Sequence, residues 1–188
     1  NASKDESVFF LTRFYKDKIK LHCNSENQGF SRGNNQGVKL SSGKWIFLLN
    51  NDTVIQPDTI EKMLTYFQAH SDIGALGPKL VNADGTLQVQ GSALGAGVYK
   101  SVHPKSISFI SGAAFMTTRE LWDSLEGLDE GFFFYNEDID ICMRIKKMGK
   151  KLMYFPDAPI VHYGGLSTAT RKAPSVVEGY RGGLYLVK

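Results

Sequence analysis

Cysteine is scarce in this chain: Cys23 and Cys142 are the two among 188 residues, and their separation matches no metal-binding or redox spacing. They read as free thiols in the interior, compatible with a reducing compartment. Charge of one sign is also lacking. Twenty-two Lys and Arg stand against 19 Asp and Glu, a net charge of +3, which is too small a surplus for a nucleic-acid surface and leaves only a mildly basic one. No apolar run approaches the roughly 20 residues of a membrane-spanning helix. Internal repeats and low-complexity segments are missing as well. What remains is ordinary: 42% hydrophobic and 22% charged residues, enough for one globular domain with a substantial core. The first residue is Asn1 rather than Met, and Gly183 to Lys188 reads as the interior of an element, so the chain is expected to be a piece of a longer protein.

Periodicity predicts an α/β fold. A helix is expected to about Lys16, with Val8, Leu11, Phe14 and Tyr15 at helical spacing, then a strand over Ile19 to Cys23. A helix through Val38 and Leu40 follows, with Ser31 as its N-cap. Trp45 to Leu49 is a run of five apolar residues without alternation, the pattern of a central parallel strand covered on both faces. Pro57 opens a helix bearing Ile60, Met63, Leu64 and Phe67. Ile73 to Val81 and Thr86 to Gln90 read as strands around the turn Asn82 to Gly85. Residues 91–106 read as a mobile loop, and Ile107 to Thr118 as a strand broken at Ser111 to Ala114. Arg119 to Leu125 and Glu137 to Met148 read as helices, Lys151 to Phe155 and Ile160 to Tyr163 as separate last strands. The tail from Gly164 shows little pattern until its final residues.

Three stretches bear on chemistry. Asn50-Asn51-Asp52 ends the Trp45 strand and is either a turn or, at the carboxyl edge where α/β sheets bind ligands, a site for a cation or hydroxyl. On the late helix, Ile141, Cys142, Ile145 and Met148 share a stripe with Asp138, while Asp140 and Lys147 point away. Asp138 therefore enters the protein from the first turn, where a carboxylate needs the helix N-terminus, a hydrogen-bond network or a ligand. Glu137 sits at the edge of the stripe. Phe132 to Tyr135 plug the core or wall a sugar pocket. His162 ends a strand-like run and is either structural or a metal ligand. Gly29 to Gly37 lacks the spacing of a phosphate-binding loop, though it offers backbone N–H groups and Arg32 at a helix start.

The ordered set of Asn1-Ala2-Ser3-Lys4-Asp5, Asn27-Gln28-Gly29-Phe30 with Gly33-Asn34-Asn35, Leu48 to Thr53, Ser111-Gly112-Ala113, Glu137-Asp138-Ile139-Asp140 with Arg144, and His162 resembles family 2 glycosyltransferases, most closely their bacterial rhamnosyltransferase-like branch. The resemblance covers nearly the whole chain. It implies a GT-A, Rossmann-like, mixed and mainly parallel sheet flanked by helices, with the first β-α-β portion missing and residues 1–188 forming one partial catalytic domain. It implies inverting sugar transfer from a nucleotide-sugar donor to a glycan or lipid-linked acceptor in cell-surface polysaccharide synthesis, with a divalent cation, Mg or Mn. Nucleic acid is not among the implied partners, and the implied location is cytoplasmic, with peripheral association at the inner face of the membrane.

By the same resemblance, Asp138 is the catalytic base and Glu137 orients the acceptor. Ser111, Gly112 and Ala113 wall the sugar and acceptor pocket, Asn27, Arg32, Asn35 and Asn51 lie near the nucleotide diphosphate, and Asp52 and His162 meet the metal. Asn50 stands where the family often has a first acid. That substitution and the missing start motivate the alternative of a catalytically silent nucleotide-sugar or glycan-binding module; a nucleotidyltransferase would leave Asp138 and His162 without a role.

Overall fold

The computed structural model describes residues 1–90, 96–164 and 172–186. Six strands, β1 (Trp45–Leu49), β2 (Thr53–Val54), β3 (Ile73–Val81), β4 (Lys105–Ile107), β5 (Ala114–Thr118) and β6 (Lys151–His162), form one sheet in the order β1-β5-β3-β6-β2, with β4 also on β6. The sheet is mixed: β3 and β6 run parallel, and the other described pairs are antiparallel. Helices α1 (Ser7–Tyr15), α2 (Gly29–Leu40), α3 (Thr59–Gln68), α4 (Arg119–Ser124), α5 (Glu137–Lys147) and α6 (Lys172–Leu186) accompany it.

The pleat divides the core between two faces. Ile46 and Leu48 of β1 and Phe115 of β5 point to Val38, Trp122, Ile141 and Ile145 of the helices on one side. Trp45, Phe47 and Met116 point to Met63 and Phe67 of α3 on the other. Each such aliphatic or aromatic side chain stabilises the fold by about 1.5–3 kcal/mol when fully buried. Glycine sets how closely α5 approaches. A Cβ on Gly74 of β3 would come within 2.5 Å of the Ile145 side chain, so the bare backbone there lets Ile145 seat fully and fixes the depth of the helix that carries Glu137 and Asp138.

Several expectations change. Trp45–Leu49 is covered on both faces but ends the described sheet and pairs antiparallel with β5. Ile19 to Cys23 forms no strand, because no described strand lies beside it. Helix α2 starts two residues before Ser31, at Gly29 with φ +82, whose N–H donates to Asn27 Oδ1 at 3.0 Å; Ser31 is buried within it. Helix α3 starts at Thr59 rather than Pro57, with Thr59 Oγ1 accepting from Gln56 N. Beyond the Asn82–Gly85 turn the second arm makes an isolated bridge, Val81 to Leu87, with backbone bonds Asn82 N to Thr86 O and Gln88 N to Leu80 O, while the side-chain amides of Gln88 and Gln90 reach His162 and Pro78. Of the expected loop at 91–106, residues 91–95 lie outside the described residues, whereas Ala96–Lys100 is a short 3-10 helix and Lys105 begins β4.

The two last strands are one. Opposite Pro78 to Leu80 of β3, β6 runs from Phe155 to Ile160, and this bulge takes Pro156 and Pro159 out of the ladder, where a missing N–H does no harm. Met148 is half exposed beyond the end of α5. Asp140 does not face open solvent: Arg144 holds it at 2.6 Å while donating to the carbonyls of Leu125 and Gly127. The tail contains α6, packed on the 131–136 loop through Tyr185 against Phe132.

Candidate functional site

The end of β1 is tied to the loop before β5, Asn50 N donating to the Ala113 carbonyl at 2.9 Å. The chain then turns through Asn51 and Asp52 and at once enters β2, where Thr53 pairs with His162. Tyr163 N donates to the Asp52 carbonyl at 2.9 Å. This ladder brings together two residues 110 positions apart in the chain: His162 Nε2 lies 3.3 Å from Asp52 Oδ1, with both side chains about 15% exposed.

Opposite strain positions the second pair of residues. Tyr135 and Asn136 both adopt left-handed backbone, φ 73 and 72, a conformation that is unfavourable for a bulky aromatic. The turn is held by Asn136 Nδ2 donating to the Gly179 carbonyl of α6 at 3.0 Å. It delivers Glu137 and Asp138 into the same space at the start of α5. Gly112 N donates to Asp138 Oδ2 at 3.1 Å and Ile139 N to Oδ1 at 3.0 Å. Burial raises the Asp138 pKa above the ordinary carboxylate range, against the lowering effect of the Gly112 N–H.

Glu137 is more deeply buried, 4% exposed, and its Oε2 has no hydrogen-bond partner among the described residues. Burial first, and the neighbouring Asp138 charge second, push its carboxyl up to about 7. The sign follows: a carboxyl whose folded pKa is raised contributes stability that is complete below its unfolded value of 4.5 and is lost as pH rises through about 7. Glu137→Gln is therefore expected to match the wild type in stability near pH 4.5 and to exceed it at pH 8, by up to about 3 kcal/mol. Denaturant melts at the two pH values check this; a variant less stable at pH 8 would contradict it.

These groups line one cleft of about 670 Å³, together with Asn27, Asn51, Ser111, Gly112 and Ala113. The aromatic run divides its labour: Phe132 is buried, whereas Phe133, Phe134 and Tyr135 line the cleft, with Phe134 4.2 Å from Tyr135 and 6.5 Å from Phe30, centroid to centroid. A Cβ at Gly112 would meet the tip of the Phe30 ring at 3.2 Å, so a side chain there would have to displace that ring by a few tenths of an ångström.

Two expected residues stand apart from the cleft. Asn35 accepts from Leu128 N and donates to Leu128 O, at 3.0 and 2.8 Å, and Arg32 pairs with Glu130 at 3.3 Å. Both fasten α2 to the 128–130 turn. Conversely, Glu178 of α6 reaches the cleft without having been singled out. It lies in a glycine-containing helix whose pattern is weak, and its pairing with Arg181 three residues on is the one local signal.

The lining carries the carboxylates of Asp52, Glu137, Asp138 and Glu178 and one imidazole, with no Lys or Arg among the described lining residues. Such a cleft repels a diphosphate unless a cation accompanies it. The carboxylate suits Mg or Mn, and the imidazole favours a transition ion such as Mn over Mg, which prefers oxygen ligands. The residues present fit the ion in part: no group of three or more His, Cys, Asp or Glu able to hold a metal occurs among the described residues, so further ligands must come from water and phosphate.

The model for "Glycosyl transferase family 2" matches residues 1–126. The chain is 25% identical over 198 residues to the O-antigen biosynthesis protein RfbC of Myxococcus xanthus, covering 95% of this chain and 15% of that protein. It is 24% identical over 161 residues to the N-acetylglucosaminyl-diphospho-decaprenol L-rhamnosyltransferase of Mycobacterium tuberculosis, covering 73% and 52%. Among solved structures it resembles the mannosyltransferase PcManGT of Pyrobaculum calidifontis in complex with GDP-Man and Mn2+, with a TM-score of 0.68 and 16% identity over 98% of this chain and 53% of that one. The chain thus spans about half or less of the length of these relatives.

Proposed function

The chain belongs to glycosyl transferase family 2, and from that premise we propose that it transfers a sugar, with inversion, from a nucleotide-sugar donor to a glycan or lipid-linked acceptor in cell-surface polysaccharide synthesis. The observation that supports this best is one cleft holding a buried carboxylate of raised pKa, Asp138, and the carboxylate–imidazole pair of Asp52 and His162. The acceptor class is suggested by the diphospho-decaprenol substrate in the name of the mycobacterial relative. A cytoplasmic site of action at the inner membrane face follows from that acceptor. No helix among the described residues is long and apolar enough to cross a membrane.

Asp138 takes the proton of an acceptor hydroxyl as that oxygen attacks the anomeric carbon and the bond to the nucleoside diphosphate breaks; its raised pKa makes it a stronger base than an exposed carboxylate. Glu137, half protonated near pH 7, can donate to or accept from the same hydroxyl and orient it. Phe134 and Tyr135 offer ring faces to the sugar, while Ser111 to Ala113 wall the pocket with backbone. Asn27 and Asn51 supply amide groups near the diphosphate. A divalent cation held by Asp52 and His162 would neutralise charge developing on the leaving diphosphate.

The reading is tested with a panel of uridine, guanosine and thymidine nucleotide sugars and Mn2+. Release of nucleoside diphosphate from one donor, stimulated by acceptor glycan or polyprenyl-diphosphate sugar, is expected. Binding without turnover of any donor would favour the silent module that Asn50 suggests, and neither binding nor turnover would sink the proposal.

A further inference from the structure

Resting on the assignment of Asp52 and His162 to a cation, we propose that the hairpin at Asn82–Gln88 is a hydrogen-bond relay that fixes His162 as its Nδ1–H tautomer, leaving the Nε2 lone pair facing Asp52. The argument is one of donor polarity. It starts at Asp84, whose carboxylate only accepts. Thr86 Oγ1 lies 2.6 Å from Asp84 Oδ1 and must donate to it, and Thr86 N donates to the same oxygen at 2.9 Å. The hydroxyl's lone pair then accepts from Asn82 Nδ2 at 2.9 Å. This turns Asn82 Oδ1 toward Gln88, where it accepts from Nε2 at 3.0 Å.

A second anchor agrees. Gln88 Nε2 also lies 3.4 Å from the His162 backbone carbonyl, an acceptor only. The amide of Gln88 is thus oriented from both sides, and its oxygen faces His162 Nδ1 at 2.7 Å. An oxygen there requires a proton on Nδ1. In neutral imidazole the other nitrogen, Nε2, is then bare, and it lies 3.3 Å from Asp52 Oδ1. Two lone-pair donors are thereby turned toward each other, an arrangement that a cation satisfies. Gly164 closes over this junction: its φ is +60, and a Cβ there would lie 3.3 Å from Gln88 Nε2. Gln88 is thus a positioning residue, in the manner of outer-shell partners that set the tautomer and orientation of metal-binding histidines.

The test is long-range proton–nitrogen NMR of the 15N-histidine-labelled, metal-free protein at about pH 8.5, well above the ordinary His pKa of about 6.5, with Mn2+ binding followed by electron paramagnetic resonance. His162 should show a protonated Nδ1 and a bare Nε2; a protonated Nε2, or an even mixture, overturns the proposal. Gln88→Leu should move the ring toward the other tautomer and weaken Mn2+ binding about 10–100-fold. Gln88→Glu keeps an acceptor for Nδ1–H but sets its second oxygen against Asn82 Oδ1 and the His162 carbonyl, so it should retain the tautomer and lose less Mn2+ affinity than Gln88→Leu. Equal losses in the two variants, or none in Gln88→Leu, also overturn it. If wild-type protein shows the Nδ1–H tautomer yet takes up no Mn2+, the relay stands and the cation assignment falls.

Discussion

Asp138→Asn is expected to lower sugar transfer by about 10²–10⁴-fold, the range that a positioned general base contributes, while nucleoside diphosphate binding stays within a few-fold of wild type. The substitution conserves shape but removes the proton acceptor. It also leaves one amide oxygen to serve two donors, Gly112 N and Ile139 N, which now use separate carboxylate oxygens, so a loss of about 1 kcal/mol in stability is expected. That loss is partly offset, because the buried carboxylate is itself disfavoured by desolvation. The measurement pairs turnover, on the donor found in the nucleotide-sugar panel, with a thermal melt. A folded variant with near wild-type turnover would remove Asp138 from the role of base.

Asp52→Ala should abolish the Mn2+-dependent part of nucleoside diphosphate binding, a loss of more than about 100-fold given that even a supporting contact is worth 10–100-fold. The reason is electrostatic as much as coordinative. Without the ion a diphosphate meets Glu137, Asp138 and Glu178 with no described Lys or Arg in the lining to compensate, and one unscreened like-charge pair at 4 Å costs roughly 4 kcal/mol at an effective dielectric of 20. The fold should survive, since the β2–β6 ladder that seats this residue is backbone-mediated: Thr53 pairs with His162, and Tyr163 N bonds the carbonyl of residue 52, not its side chain. Calorimetric titration of nucleoside diphosphate with and without Mn2+ decides it, and unchanged binding would refute the assignment.

How much of this was legible depended on how local the cause was. Trp45–Leu49 and Ile73–Val81 are strands over the residues that their apolar runs mark, because burial on both faces writes itself into consecutive side chains. Asp138 lies on the inward side of α5, as helical spacing indicates. The errors share a different cause. Pro156 and Pro159 read as strand breakers, yet β6 carries them in a bulge that only its pairing with β3 creates. Ile19 to Cys23 has strand composition without a described neighbour to pair with. Arg32 and Asn35 have the chemistry of phosphate ligands but are taken up by Glu130 and Leu128, some 95 residues away.

The cleft itself divides the same way. Residue type and spacing sufficed for the α/β class and for marking Asp52, Asp138 and His162 as candidates, while the roles proposed for them rest on the family resemblance. Pairing Asp52 with His162, burying Glu137 deeply enough to raise its pKa to about 7, bringing Glu178 to the rim and setting Gln88 against the imidazole required the assembled chain. Desolvation and hydrogen-bond polarity depend on what surrounds a group, and here those surroundings come from β2, β6, α6 and a hairpin far apart in sequence.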